Sequence, residues 1–356
     1  MQYEVDILAV GEESKSGDAI ALRYGDFVND PSNQTVVVID GGFKDSGEEL
    51  VQRIQNEYGT NYVDVVISTH PDSDHVSGLE VVLEKLTVGE LWMHRPWNTN
   101  AELKSMVESE VGLIELMSVN KAKKSLRAAF NLEKMATKKG VTIVDPYAGH
   151  STTDGVIHVI GPSIEFYGSL LPDFEKGGQM SAGEKIKSLI SELWHKDELE
   201  EPHEDAVSAR NNSSVVTVAT FADKNFLFTG DAGVKALASA SEHASSRNFD
   251  LGTNIHYYQV PHHGSKRNVG PSILDAIIGP IMPQGQMNGK TAFVSAAKDS
   301  PKHPSHRVKN AFIRRGVNVS QTCGQCHCFR SGGVPTREGW EPITFCEFTH
   351  SHEEED

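Results

Sequence analysis

The stretch Thr69-His70-Pro71-Asp72-Ser73-Asp74-His75 decides how this chain is read. It places four metal-competent side chains within six residues, directly after the apolar run Val63-Asp64-Val65-Val66-Ile67-Ser68. Imidazoles and carboxylates this dense on one turn repel or titrate one another unless a cation holds them. Val76-Ser77-Gly78-Leu79-Glu80 then reads as the start of a helix. Strand, ligand loop and helix in succession build a preorganised metal site, which points to metal-assisted hydrolysis.

Further candidate ligands recur in the same context. The strand Phe226 to Thr229 ends at Gly230-Asp231, and the strand His256 to Val260 delivers Pro261-His262-His263-Gly264-Ser265. Alone, Gly230-Asp231 is equally well explained as a helix N-cap, and the histidine pair as a surface turn. Together, strand ends of packed sheets gather on one rim. The donors then suffice for two divalent ions about 3.5–4 Å apart, sharing a bridging carboxylate and hydroxide.

The rest of the chain alternates strands and helices. Strands are predicted over Tyr3 to Val10, Asp18 to Tyr24, Thr35 to Asp40, Glu90 to His94, Val141 to Val144, Val156 to Ile160, Ile164 to Tyr167, Ser214 to Thr220, Thr291 to Ser295 and Val317 to Gln321. Helices are predicted over Glu48 to Tyr58, Leu79 to Leu86, Val234 to His243, Ile273 to Ile278 and Arg307 to Arg315. Two strand-rich halves, each followed by helices, give an α/β (α+β) fold, a four-layer αββα sandwich. One domain is expected over 1–330, with a helical insertion at about 98–140 and an acidic insertion at about 170–208. The acidic one is read as a helix plus a mobile loop. A C-terminal strand and polar tail fill 331–356, with Ser351 to Asp356 expected to be disordered.

At 356 residues, 38% hydrophobic and 23% charged, the composition is that of an ordinary water-soluble chain. No apolar run approaches a membrane span, so a cytoplasmic protein without membrane association is expected. The formal charge of −16 opposes non-specific duplex binding. Cys323-Gly324-Gln325-Cys326-His327-Cys328 has the look of a zinc knuckle. A four-ligand site would need Cys346 or the tail histidines His350 and His352. The simpler reading is reduced thiols near a strand.

His70-x-Asp72-x-Asp74-His75 resembles the signature loop of the metallo-β-lactamase-fold hydrolases. The subtype it resembles is the hydrolase domain of the competence DNA-uptake protein ComEC and its stand-alone relatives. Val10-Gly11-Glu12, Gly17-Asp18-Ala19-Ile20, Val38-Ile39-Asp40-Gly41-Gly42, Asn211-Asn212-Ser213-Ser214-Val215-Val216, Phe226 to Asp231, Val260 to Ser265 and Phe293-Val294-Ser295 with His303-Pro304 carry the likeness, in the right order, from residue 5 to about 320. The resemblance implies His70 and Asp72 at one metal position, Asp74 and His75 at the other, and Asp231 bridging. One of His263 and His262 completes the second position. Asp40 would orient a ligand through hydrogen bonds. Asp74 would also handle a proton, with Asp74 and Asp231 as the catalytic pair. Asn211, Asn212, Ser265, Lys266, Ser295 and His303 are candidate substrate contacts. His94-Arg95-Pro96-Trp97 joins a cation to an aromatic, as a base and its phosphate require.

The chain departs from the pattern where a third histidine is usual: it has Arg210-Asn211-Asn212. With Asp72 also in place of histidine, the donors are oxygen-rich, which favours Mn²⁺ or Mg²⁺ over Zn²⁺. His158 reads as a core or edge histidine rather than a substitute ligand. The expectation is a metal-dependent hydrolase, a phosphodiesterase or nuclease using a metal-bound hydroxide, with nucleic acid or nucleotide as substrate. Its rivals are a hydrolase of a small-molecule ester, lactone or cyclic nucleotide, and a non-catalytic binding module. The resemblance also suggests a place in phage defence, with a protein partner docking on the helical or acidic insertion.

Overall fold

The computed structural model describes residues 1–12, 15–109, 121–176, 189–222 and 224–353. Asp223, residues 354–356 and the middle of both predicted insertions lie outside them. Two sheets carry the fold. The first has the order β14-β1-β2-β3-β4-β5-β6, built from Gln2–Ile7 (β1), Ala19–Gly25 (β2), Gln34–Gly41 (β3), Tyr62–Ile67 (β4), Thr87–Trp92 (β5), Thr142–Val144 (β6) and His327–Arg330 (β14). The second has the order β13-β12-β11-β10-β9-β7, built from Ile157–Gly161 (β7), Val216–Thr220 (β9), Asn225–Phe228 (β10), Tyr257–Gln259 (β11), Thr291–Val294 (β12) and Asn318–Gln321 (β13).

The pleat decides what each face meets. Ile20, Leu22, Val37, Ile39, Val65 and Ile67 point inward and meet Ile157, Val159, Phe226, Phe228 and Phe293 of the second sheet. Their neighbours Ala19, Ala21, Val36, Val38 and Val66 point outward. They pack under the helices Lys44–Asn56 (α1) and Ser73–Lys85 (α2) and the helix Lys121–Lys139. On the far side, Val216, Val218, Leu227, Ala292 and Val294 lie under the helices Val234–Ser246, Pro271–Ile277 and His306–Arg314. The αββα layering follows directly from strands that are apolar on both faces.

Helix α2 lies almost on the backbone of β3. A Cβ on Gly78 would come within 1.8 Å of the Gly41 oxygen. That contact places the ligand loop over the end of the sandwich.

Three expectations fail. Ile164 to Tyr167 is helical, within Ile164–Leu170, because the Ser163 side chain accepts from the Phe166 N–H and caps it. Ser351–Glu353 (β15) is a strand paired antiparallel with Leu189–Ser191 (β8), not a disordered tail. Acidic residues of the second insertion serve internal contacts. Glu192 binds Arg314 at 2.7 Å with both side chains fully buried, Asp197 binds Arg315 at 3.1 Å, and Glu201 accepts from the Ser272 N–H. Within the described residues this stretch is therefore a tied segment, not a mobile loop. No described helix is long and apolar enough to cross a membrane.

Candidate metal centre

The site forms where β3, β4 and the loops after β10 and β11 end together. Helix α2 starts at Ser73, earlier than the sequence suggests, so Asp74 and His75 sit in its first turn. Asp40 closes β3 with φ of +56°, a left-handed conformation that aspartate tolerates better than most residues. Its carboxylate accepts from the Thr69 N–H at 2.8 Å and the Thr69 hydroxyl at 2.6 Å, and pairs with His75 Nδ1 at 2.7 Å. Asp40 therefore fixes the orientation of His75, whose other nitrogen faces the cleft. One of its oxygens lies within 4.8 Å of a ring nitrogen of His70 and of His75, but both oxygens are already spent on these bonds.

Asp231 sits at the centre, 2% exposed. One carboxylate oxygen, Oδ1, is 3.4 Å from His75 Nε2. The other, Oδ2, is 3.5 Å from His70 Nε2 and 3.4 Å from His262 Nε2, and accepts from Asn211 Nδ2 at 3.0 Å. Burial pushes the Asp231 carboxyl up, but His262, His75 and His70 overcome it and hold it well below the carboxylate range. Burial pulls His75 down, and Asp231 and Asp40 more than reverse this. Burial keeps His263 well below its ordinary value, so its ring is neutral.

Both histidines of the pair reach the site. His262 and His263 have φ of +49° and +57°, which fans their rings to 5.6 Å and 63° apart. His262 faces Asp231, with Asn268 Oδ1 2.9 Å from its Nδ1. His263 has the Ser295 carbonyl 2.9 Å from its Nδ1 and turns Nε2 toward Asp74 and His75.

A cation fits this cluster. Among the described residues, Asp74 Oδ1, His75 Nε2, His263 Nε2, His70 Nε2 and Asp231 Oδ1 are buried without a hydrogen-bond partner. One ligand atom each from Asp74, His75 and His263 lies within 4.8 Å of the others. Buried polar atoms are nearly always satisfied, so several orphans converging on one point mark a missing positive charge.

The remaining candidates divide. Asn211 points into the site. Asn212 does not: its side chain accepts from the Gly233 N–H and donates to the Val207 carbonyl. Ser265, 6% exposed, accepts from the Arg267 N–H and shapes the turn. Lys266 is half-buried on that turn. His303 stacks over His262 at 6.2 Å, and burial, with His262 nearby, lowers it to about 4. His158 is exposed, away from the cluster. The His94 to Trp97 stretch is not a substrate platform. Arg95 is held by Asp145, and buried Trp97 donates to Glu133. His94 packs between Tyr147 and Tyr167.

Two residues escape the sequence reading. Asp18, 2% exposed, places Oδ2 3.7 Å from His75 Nδ1 and Oδ1 3.9 Å from His263 Nδ1. Burial, with Asp231 and Asp40 nearby, pushes it up to about 7 despite His75. The only signal was its place in Gly17-Asp18-Ala19-Ile20, one of the stretches that carry the family likeness, at the start of a predicted strand. Arg210 is the other: its Nε lies 3.1 Å from Asp72 Oδ1.

The four thiols gather no site. Cys326 Sγ accepts from the Ala9 N–H at 3.4 Å and packs on the first sheet's outer core. Cys323 and Cys346 pack in the outer core of the second sheet. No described cysteine belongs to a metal-competent group.

Residues 27–163 match the family model described as Metallo-beta-lactamase superfamily. No curated protein matches the sequence. Among solved structures, a diphosphatase from the PhnP family is 11% identical over 93% of this chain and 98% of its own, with a TM-score of 0.41. Zn²⁺-bound PqqB from Methylobacterium extorquens is 12% identical over 92% and 99%, with a TM-score of 0.39. The metallo-β-lactamase SMB-1 is 8% identical over 76% and 88%, at 0.31. Two helix-flanked sheets, with the matched segment carrying the His70–His75 loop, make the fold that of the metallo-β-lactamase superfamily.

Proposed function

We propose that this protein is a metal-dependent phosphodiesterase acting on nucleic acid or nucleotides. The observation that carries the reading is the convergence of buried, unpartnered ligand atoms from Asp74, His75, Asp231 and His263. These residues would hold a divalent ion, which when bound activates water and neutralises charge on a phosphate. The oxygen content of the set suits Mn²⁺ or Mg²⁺ as well as Zn²⁺.

The chain's own groups do the rest. Asp40 keeps His75 Nε2 aimed at the cleft. Asp18 can carry a proton near neutral pH beside His75 and His263. His303, neutral above about pH 4, offers a hydrogen bond rather than a charge beside His262. Arg267 is exposed and Lys266 half-buried on the turn after the histidines, where they can meet phosphate oxygens.

The test is a reporter panel on the metal-loaded chain: bis(p-nitrophenyl) phosphate, single-stranded DNA, cyclic nucleotides and p-nitrophenyl acetate. Phosphodiester cleavage that disappears in Asp74→Ala, with the fold retained, supports the proposal. Turnover of the carboxylic ester alone would replace it with esterase chemistry. Cleavage of cyclic nucleotides but not DNA would fit the −16 charge and narrow the substrate to small anions.

A further inference from the structure

We infer that the guanidinium of Arg210 takes the place of a second metal ion, so that the chain binds one divalent ion tightly and not two. This rests on the metal-centre reading above and concerns how many ions it holds.

The two aspartates of the signature loop are in opposite states. Among the described residues, Asp74 Oδ1 is buried and has no partner. Asp72, 4% exposed, has both oxygens facing cations: Arg210 Nε lies 3.1 Å from Oδ1, and Lys121 Nζ lies 3.7 Å from Oδ2. Lys121 is largely exposed and adds little. Arg210 is itself 4% exposed. It is locked from behind, since its NH1 donates to the Phe174 carbonyl at 2.6 Å and the Lys176 carbonyl at 3.4 Å. A buried carboxylate needs a positive partner, and here the chain supplies one that no chelator can remove.

A second ion at the His70 side would have to break this pair and then sit beside the displaced guanidinium. Without Asp72 it is left with His70 Nε2, His262 Nε2 and Asp231 Oδ2, an oxygen already accepting from Asn211. Among the described residues, no Lys or Arg pairs with Asp74 or Asp231 at the position they share with His75 and His263.

The experiment strips the full chain with chelator, reloads it with Mn²⁺ or Zn²⁺, and counts ions by native mass spectrometry and calorimetry. Wild type should retain one ion, with any second binding roughly 100-fold more weakly, the scale on which lost metal-site partners act. Arg210→Ala should gain a second tight ion, and Arg210→Ala with Asp72→Asn should lose it again. Should Arg210→Ala not fold, Asp72→Asn alone is decisive, since it should leave the count and affinity of the retained ion unchanged. Two tight ions in wild type, or loss of the retained ion in Asp72→Asn, overturns the inference while sparing the metal centre. A wild type that binds no ion overturns both.

Discussion

Two short runs of this chain carry metal-competent side chains at similar density, and only one makes a cluster. His70 to His75 follows a parallel strand inside the first sheet and enters a helix, so its side chains leave a tight turn together. Cys323 to Cys328 crosses from the edge of the second sheet to the edge of the first. Its thiols are therefore drawn toward different cores. Spacing in sequence becomes proximity in space only where the backbone turns around a common point.

The comparison breaks most sharply if the central ligands of the site prove dispensable. Replacing His75 or Asp231 with alanine should cost more metal affinity than the roughly 10–100-fold lost with an outer hydrogen-bond partner. Activity should fall with it. Metal analysis after exhaustive dialysis reads the first and the phosphodiester reporter the second; wild-type metal content in His75→Ala would refute the cluster. Asp40→Asn removes only the acceptor that orients His75 and Thr69. Affinity should drop about 10–100-fold, with the ion still bound at saturation.

Much of this was legible in the sequence, because the strands announce themselves as apolar runs, two of them closed by Gly41-Gly42 and Gly230-Asp231. The His70 loop, Asp231 and the His262-His263 pair all end such strands, so their meeting followed from the sandwich. What could not be read depends on distant partners. Asp18 reaches the site only because β2 lies beside β3, and Arg210 reaches Asp72 across 138 positions of chain. The acidic run around Asp197 looked solvated because Arg314 and Arg315 lie more than a hundred residues away. The Ile164 helix was missed because its Ile-Glu-Phe-Tyr start alternates like a strand. Left-handed backbone at both His262 and His263, which sets one ring beside Asp231 and the other beside Asp74 and His75, could not be read from the sequence either.

A second contrast separates two buried histidines, His75 in the first turn of α2 and His94 after β5. His75 is held by carboxylates, whereas both ring nitrogens of His94 are buried without a partner among the described residues. Burial drops His94 from 6.5 to about 3, against a weaker opposing pull from Asp145. The sign follows: between those values the unfolded chain takes up a proton that the folded chain refuses. Stability should therefore fall as pH drops through this window and be fully present above it. Denaturant midpoints of metal-free protein at a series of pH values would show the slope. His94→Phe should flatten it, and an unchanged slope in that variant would exclude His94 as its source.

The smallest effect belongs to the cysteines. A zinc knuckle needs thiolates, yet burial pushes the thiols of Cys323, Cys326 and Cys328 up. Cys328 in addition faces Asp6 and Glu4, which already share Arg337. Serine at all three positions should leave the metal count unchanged and cost only about 1 kcal/mol per buried site. The count is best made in His75→Ala, where the histidine cluster no longer contributes. A stoichiometric zinc ion that survives there and vanishes with the three serines would make the cysteine run a second metal site and erase the contrast between the two runs.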